Sequence, residues 1–265
     1  NPFFTAMVRG VEDAAQEAGY SVILANADED ATKEARYIDV VVAEQMAGLV
    51  LSPASASPAH LDLLTERNIP VVTIDRRIRG GRFDSVTINN REVAKQATEH
   101  LIAQGCRRIG FVAGPAVTTT ARERLNGYKA ALEQAGRPVD SSLIRSANYR
   151  IEGGYDGARQ LLALRRPPDG MLVSNNLMTV GALDALSEAG LQTPEDIAFV
   201  GFDEVSWALG RRARVTAVQQ PTYQIGRQAA DLLLARIRGD RSKPRHLILP
   251  GQLIVRNSSR RVPES

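Results

Sequence analysis

The chain has 265 residues, 43% hydrophobic and 24% charged, a balance of globular proteins and not of a disordered or membrane chain. Its 33 basic residues are nearly offset by 30 acidic ones, so the formal charge of +3 gives no nucleic-acid footprint by itself. No apolar run reaches the length of a membrane span, and the single cysteine, Cys106, excludes an internal disulfide and fits a reducing compartment.

The first residues, "NPFFTAMVRG", read as a helix start, with Asn1 as N-cap and Pro2 at the first helical position, where its missing N–H costs nothing. They carry no basic-then-apolar signal segment. A chain that opens on a helix cap is expected to continue upstream. Apolar, β-branched runs then recur at 21–27 (SVILANA), 48–53 (GLVLSP), 69–75 (IPVVTID), 84–88 (DSVTI), 108–114 (RIGFVAG), 170–175 (GMLVSN), 197–203 (IAFVGFD) and 215–220 (VTAVQQ). Their unbroken hydrophobicity predicts short strands buried on both faces. Helical segments separate many of them, at 91–105, 121–136, 178–190 and 222–239, each ending in glycine. "YIDVVVAEQMAG" (37–48) is too apolar for one helix face, which predicts contact with a second copy of the chain, with a deeply sandwiched helix as the alternative.

This alternation predicts an α/β fold with parallel, doubly wound sheets. Weaker runs at 143–147, 245–249 and 252–256 bring the strands near the limit of one open sheet, so two subdomains fit better, dividing near Asn89. The last helix and two short strands, parted by Pro250-Gly251, are placed to complete both sheets, with several chain crossings acting as a hinge.

In open parallel sheets ligands bind beyond the carboxyl ends of the strands. Those positions hold Asp75 and Arg76, Asn89 and Asn90, the threonine loop Thr118–Thr120, Tyr149, Asn175 with Asn176, and Asp203. Thr120 and Glu123 fit a capping box that starts a helix at Ala121. Arg124 then lies in the first turn, at the edge of a buried stripe of Ala121, Leu125, Tyr128, Leu132 and Ala135. A ligand grip and a structural ion pair both remain open for it. The arginine-rich "RRIRGGR" (76–82) lacks interleaved aromatics and reads as a solvated loop, with an anion contact from Arg76 as the alternative.

Neither G-x-x-x-x-G-K-[ST] nor G-x-G-x-x-G follows a strand, and no G-x-S-x-G is present, so the expectation is no nucleotide cofactor and no hydrolase elbow. His60, His100 and His246 are too scattered to predict a metal site. Binding without catalysis is the economical reading.

Several motifs, in order along nearly the whole chain, resemble the effector-binding core of LacI/GalR-family transcription regulators: "NPFF…RGVEDAAQEAGY", "IPVVTIDRR", "GPAVTTTARERLNGYKAAL", "VSNNLMTVGALDALSEAGLQTPEDIAFVGFDE" and "LIVRNSS". The resemblance implies two periplasmic-binding-protein-like subdomains, 1–88 plus 221–249 and 89–220 plus 250–265, joined by a three-crossing hinge. A small molecule, commonly a sugar or a purine, would be held in the cleft, and the paired Asp and Arg side chains suit a sugar, sugar acid or sugar phosphate. Motif by motif it implies ligand contacts from Phe3, Phe4, Asp75, Thr120, Arg124, Tyr149, Asn175 and Asp203; Arg76, Asn90 and Thr118 join them from the strand-end reading. It further implies a cytoplasmic homodimer that reaches operator DNA only through a helix-turn-helix headpiece absent here, together with one upstream strand. Asn176 departs from the aspartate of many members. A secreted solute-binding protein of a transporter is the competing reading, and a sugar-modifying enzyme a third.

Overall fold

The computed structural model describes residues 2–54, 61–205 and 215–260. The expected cap Asn1, and Trp207, lie outside the described residues. Two compact units are present, and the chain passes between them repeatedly: 1–88, 117–119 and 221–250 form the smaller, and 89–116, 120–220 and 251–265 the larger.

The smaller unit begins with α1 (Pro2–Glu17) and α2 (Ala31–Ala43), followed by β1 (Leu49–Leu51), α3 (Asp62–Glu66), β2 (Val71–Ile74) and β3 (Asp84–Ile88). It is completed late in the chain by α8 (Thr222–Ile237) and β9 (His246–Leu249). The sheet order is β1-β2-β3-β9, parallel throughout. On one face α8 lies along β1, β2 and β3 and carries α1, which it binds through Tyr223 to Asp13 and Arg227 to Glu17. On the other face Ile38, Val41, Leu61 and Leu64 of the α2 and α3 region enclose Val71.

Residues 21–27, expected as a strand, form none. Tyr20, Val22, Ile23 and Leu24 are 37, 36, 76 and 69% exposed. A β-rich run becomes a strand only when a neighbour accepts its backbone hydrogen bonds. β1, at the edge of the sheet, pairs with β2 alone, and no described strand bridges the space to this segment.

The larger unit comprises α4 (Asn90–Ala103), β4 (Ile109–Ala113), α5 (Thr119–Gln134, from its second residue), β5 (Ile144–Ser146), α6 (Ile151–Leu162), β6 (Gly170–Val173), α7 (Asn176–Glu188), β7 (Ala198–Phe202), β8 (Thr216–Gln219) and β10 (Gln252–Ile254). Its sheet runs β10-β8-β7-β6-β4-β5, parallel except for β10. Met171, Val173 and Phe199 face Ala158, Leu161, Met178 and Leu186 of α6 and α7, while α4 lies across β6, β7 and β8 on the other side. Tyr128 of α5 stacks on Phe111 at 5.1 Å and donates its hydroxyl to the Ile109 carbonyl at 2.7 Å; burial pushes its phenol well above the ordinary range.

Both units are therefore parallel α/β layers, the predicted class. The four glycine stops also hold: Gly105, Gly136, Gly190 and Gly239 all take positive φ just beyond their helices.

Candidate functional site

The strand order β5-β4-β6-β7-β8 of the larger unit reverses direction between β4 and β6. Loops leaving the carboxyl ends of two such strands diverge to opposite faces of the sheet, and the crevice they leave is where doubly wound sheets bind ligands. Arg124 bridges this point. Its Nε donates to Asn90 Oδ1 at 2.8 Å and its Nη1 to the carbonyl of Ser174, just past β6. Its guanidinium lies 4.2 Å from the ring centroid of Phe202 at the end of β7. Only 3% of Arg124 is exposed, so the residue sits in the middle of the buried face of α5, with Thr120, Ala121, Gly127 and Tyr128, and not at its edge. Leu125 is half-buried and Ala135 is exposed beyond the helix end.

The helix start also differs from the capping-box expectation. α5 begins at Thr119, two residues before Ala121, and the Thr120 hydroxyl is turned to the Tyr149 hydroxyl at 3.2 Å. Tyr149 forms a wall in the same crevice. Its ring passes directly over Gly114, where a Cβ would lie 2.1 Å from the ring Cζ. Its carbonyl accepts from Asn175 Nδ2 at 3.1 Å, while Asn175 Oδ1 caps α7 by accepting from Met178 N at 2.9 Å. Asn176 is buried and turns its Oδ1 to the Leu177 N–H.

Asp203 follows β7. Both of its carboxylate oxygens accept from Gln220 Nε2, at 2.9 and 3.1 Å, and its backbone N–H donates to Val218 O at 2.7 Å. Its φ of 62° is left-handed, a region that non-glycine residues seldom occupy and that costs about 1–3 kcal/mol for most side chains. Tyr149 shares that conformation with φ 62°. Two strand-end residues held this way project their side chains beyond the sheet edge. Asn90, Thr120, Arg124, Tyr149, Asn175 and Asp203 thus gather at the carboxyl end of one sheet.

The other expected site residues belong to the smaller unit. Phe3 and Phe4, in the first turn of α1, are half-buried and meet edge to face at 4.9 Å. Asp75 ends β2 as Asp203 ends β7, with φ 63° and an N–H donated to the adjacent strand at Val86 O. Arg76 is buried and committed: Nη2 donates to Glu29 Oε1 at 2.7 Å, Nη1 to the Pro53 carbonyl at 3.1 Å, and Nε lies 3.4 Å from Asp75. Thr118 is buried in the segment 117–119.

Sequence reasoning missed three participants. Gln220 stands at a strand end after β8 and was open to the same rule, but the run "VTAVQQ" absorbed it into the strand. Phe202 reads as one more core residue of "FVGFD". Ser174 acts through its carbonyl, which no side-chain pattern reveals. Among the described residues, no group of three or more His, Cys, Asp or Glu could hold a metal ion, and no helix is long and apolar enough to cross a membrane.

Known proteins share this fold. A family described as periplasmic binding proteins and sugar binding domain of LacI family matches residues 1–257. The chain belongs to that family. It is 31% identical over 264 residues to the HTH-type transcriptional repressor CytR of Escherichia coli strain K12, covering 99% of this chain and 77% of that repressor. It is 32% identical over 260 residues to the ribose operon repressor of the same strain, covering 98% and 79%. A LacI family transcriptional regulator from Enterococcus faecium, solved with bound ribose, superposes with a TM-score of 0.88 at 25% identity, covering 98% of this chain and 94% of that one. These LacI-family relatives are regulators, not enzymes, and the parallel two-unit fold is theirs.

Proposed function

We propose that this LacI-family chain is a ligand sensor that binds a sugar or a related small polyhydroxylated molecule at the carboxyl ends of β4, β6, β7 and β8, and that occupancy sets how the full-length protein holds operator DNA. The observation that carries the reading is the presence at one switch point of Arg124, whose guanidinium is held by neutral partners, and Asp203, whose carboxylate is held by an amide. A sugar hydroxyl both donates and accepts, so one ligand satisfies the carboxylate and the guanidinium together. Tyr149 offers an apolar face to ring carbons, and Asn175 a fixed amide. Asn90 orients Arg124 and need not touch the ligand. The ribose named for two of the relatives supports a sugar over a purine.

The contacts expected from Phe3, Phe4, Asp75, Arg76 and Thr118 are part of the same proposal, each tested by its alanine variant in the titration below. Arg76 is the weakest of them, since its donors already serve Glu29 and Pro53. The repressor names of the relatives support binding without turnover. The repressor names of the relatives favour a cytoplasmic regulator over a transporter's solute-binding protein. Tyr37 and Val40, 37 and 46% exposed on α2, support a homodimer through that helix.

A thermal-shift screen against sugars, sugar acids, sugar phosphates and purines tests the site, followed by titration of the fluorescence of Trp207, the only tryptophan. Ligand at a hundred times its Kd stabilises the folded state by about 2.7 kcal/mol. The shift is expected to vanish in Arg124→Ala. Operator affinity of the full-length protein that does not change at saturating ligand would remove the regulatory mechanism.

A further inference from the structure

The arginine-rich loop between β2 and β3 shapes a cavity of about 220 Å³ inside the smaller unit, from residues that the sugar-sensing reading does not use. Its floor is a polar row. The register pairs Thr73 with Ser85 and Ser85 with His246, so the three side chains stand side by side on one face of β2, β3 and β9. His246 Nδ1 and Ser85 Oγ are 2.9 Å apart. Ile78 and Phe83 add apolar wall, and Arg77 and Arg79 complete the lining. Gly80 and Gly81, with φ 88° and 63°, turn the loop back over this row. A Cβ on Gly81 would already lie 3.3 Å from His246 Nε2.

Charge decides what the cavity suits. Asp84, the neighbour of Ser85, lies on the opposite face of its strand and is bound by Arg236. Among the described residues the lining contains Arg77, Arg79 and His246 and no carboxylate. Guanidinium groups only donate and carry positive charge, while the hydroxyls and a neutral imidazole both donate and accept. Two guanidinium groups draw an anion, which uses their donors in charge-assisted hydrogen bonds that a neutral sugar does not match. The volume lies below the range for drug-sized ligands, which favours a compact molecule.

We propose that this cavity binds the phosphate group of a small phosphomonoester or of inorganic phosphate, as a second site independent of the Arg124 and Asp203 crevice. The experiment is phosphorus NMR line broadening of inorganic phosphate and of glycerol 3-phosphate, titrated with the whole chain, with circular dichroism melting to verify each variant. Saturable broadening is expected, weakened roughly tenfold or more in Arg77→Gln/Arg79→Gln and in His246→Gln, and retained in Arg124→Ala. Tighter binding of glycerol 3-phosphate supports a site that also holds the carbon tail, and equal binding supports one that holds phosphate alone. Absence of broadening at millimolar phosphate, broadening that survives Arg77→Gln/Arg79→Gln, or broadening lost in Arg124→Ala overturns the proposal.

Discussion

Asp84→Asn is the sharpest test of how the smaller unit is held together. Asp84 is 1% exposed at its side chain and receives Arg236 in a fork, Nε to Oδ2 at 2.7 Å and Nη2 to Oδ1 at 2.9 Å, with the Arg245 N–H on Oδ1 at 2.6 Å. The amide keeps the shape but turns an NH₂ toward a guanidinium and leaves that cation without its counter-charge. Breaking a buried pair from one side costs about 3–5 kcal/mol. Arg236 retains the carbonyls of Asp240, Ser242 and Lys243, and the remaining amide oxygen still accepts from Arg245 N. The expected loss is therefore about 2–4 kcal/mol, near the lower end of that range, or roughly 10 °C in Tm for a unit of this size. The loss must also depend on pH. Burial pushes the Asp84 carboxyl up, but the Arg236 and Arg245 hydrogen bonds outweigh it and hold the group below its ordinary value. A depressed carboxylate contributes stability that is full above its unfolded pKa of about 3.9 and is lost as pH falls through the folded value. Urea melts followed by circular dichroism should show a wide gap between wild type and variant at neutral pH that narrows below about pH 4. A neutral-pH gap under about 1 kcal/mol, or one that acid leaves unchanged, refutes the reasoning.

Three further outcomes follow from the same geometry. Asp203→Asn keeps the side chain's shape and an oxygen for Gln220 Nε2, and should leave melting within about 1 kcal/mol of wild type, yet weaken the sugar-class ligand about 10- to 100-fold by isothermal titration, the loss of a charge-assisted acceptor. Unchanged affinity would remove Asp203 from the site. Gly114→Ala places a methyl 2.1 Å from Tyr149 Cζ, so the ring must leave Thr120; a cost of about 1–3 kcal/mol in denaturant melts and a weakened ligand response are expected. Val40→Lys, at an exposed position of α2, should shift the sedimentation profile from dimer to monomer without lowering monomer stability, and a dimer that persists would place the interface elsewhere.

Much of the architecture was legible because parallel strands covered on both faces write their burial into every position. β2, β3, β4, β6 and β7 each fall inside a run read from the sequence. Residues 21–27 show the limit of that signal. Val22, Ile23 and Leu24 have the composition of a strand, but composition measures willingness to pair and cannot supply the partner. The crevice was legible at its strand ends, since the carboxyl-end rule needs only the strand boundaries. It was less legible where backbone conformation matters. Asp75, Tyr149 and Asp203 all adopt left-handed φ without being glycine, so no residue type announced the turn that aims them. The misplaced edge of α5 has a similar cause. Thr119 and Thr120 suit a cap by propensity, and Tyr149, distant in sequence, draws the Thr120 hydroxyl away from that role.

Arg124 ties these levels together. A cation in the first turn of a helix opposes the dipole by about 0.3–1 kcal/mol, and burying it adds a desolvation cost that an ion pair would normally offset. Yet its partners are an amide oxygen, a peptide carbonyl and an aromatic face, all neutral. Those partners fix the direction of the guanidinium without cancelling its charge. Asp203 carries the opposite sign, and Gln220 Nε2 orients its carboxylate by donating to both oxygens. Were Arg124 purely structural, pairing it with a carboxylate would be the lower-energy arrangement. Arg124, oriented by neutral neighbours, and Asp203, oriented by Gln220, are held as separate groups at one sheet end, where a molecule that offers donors and acceptors together can meet both. That separation is the physical content of the sugar-sensing proposal, and it explains an arginine where helix electrostatics alone would place an acid.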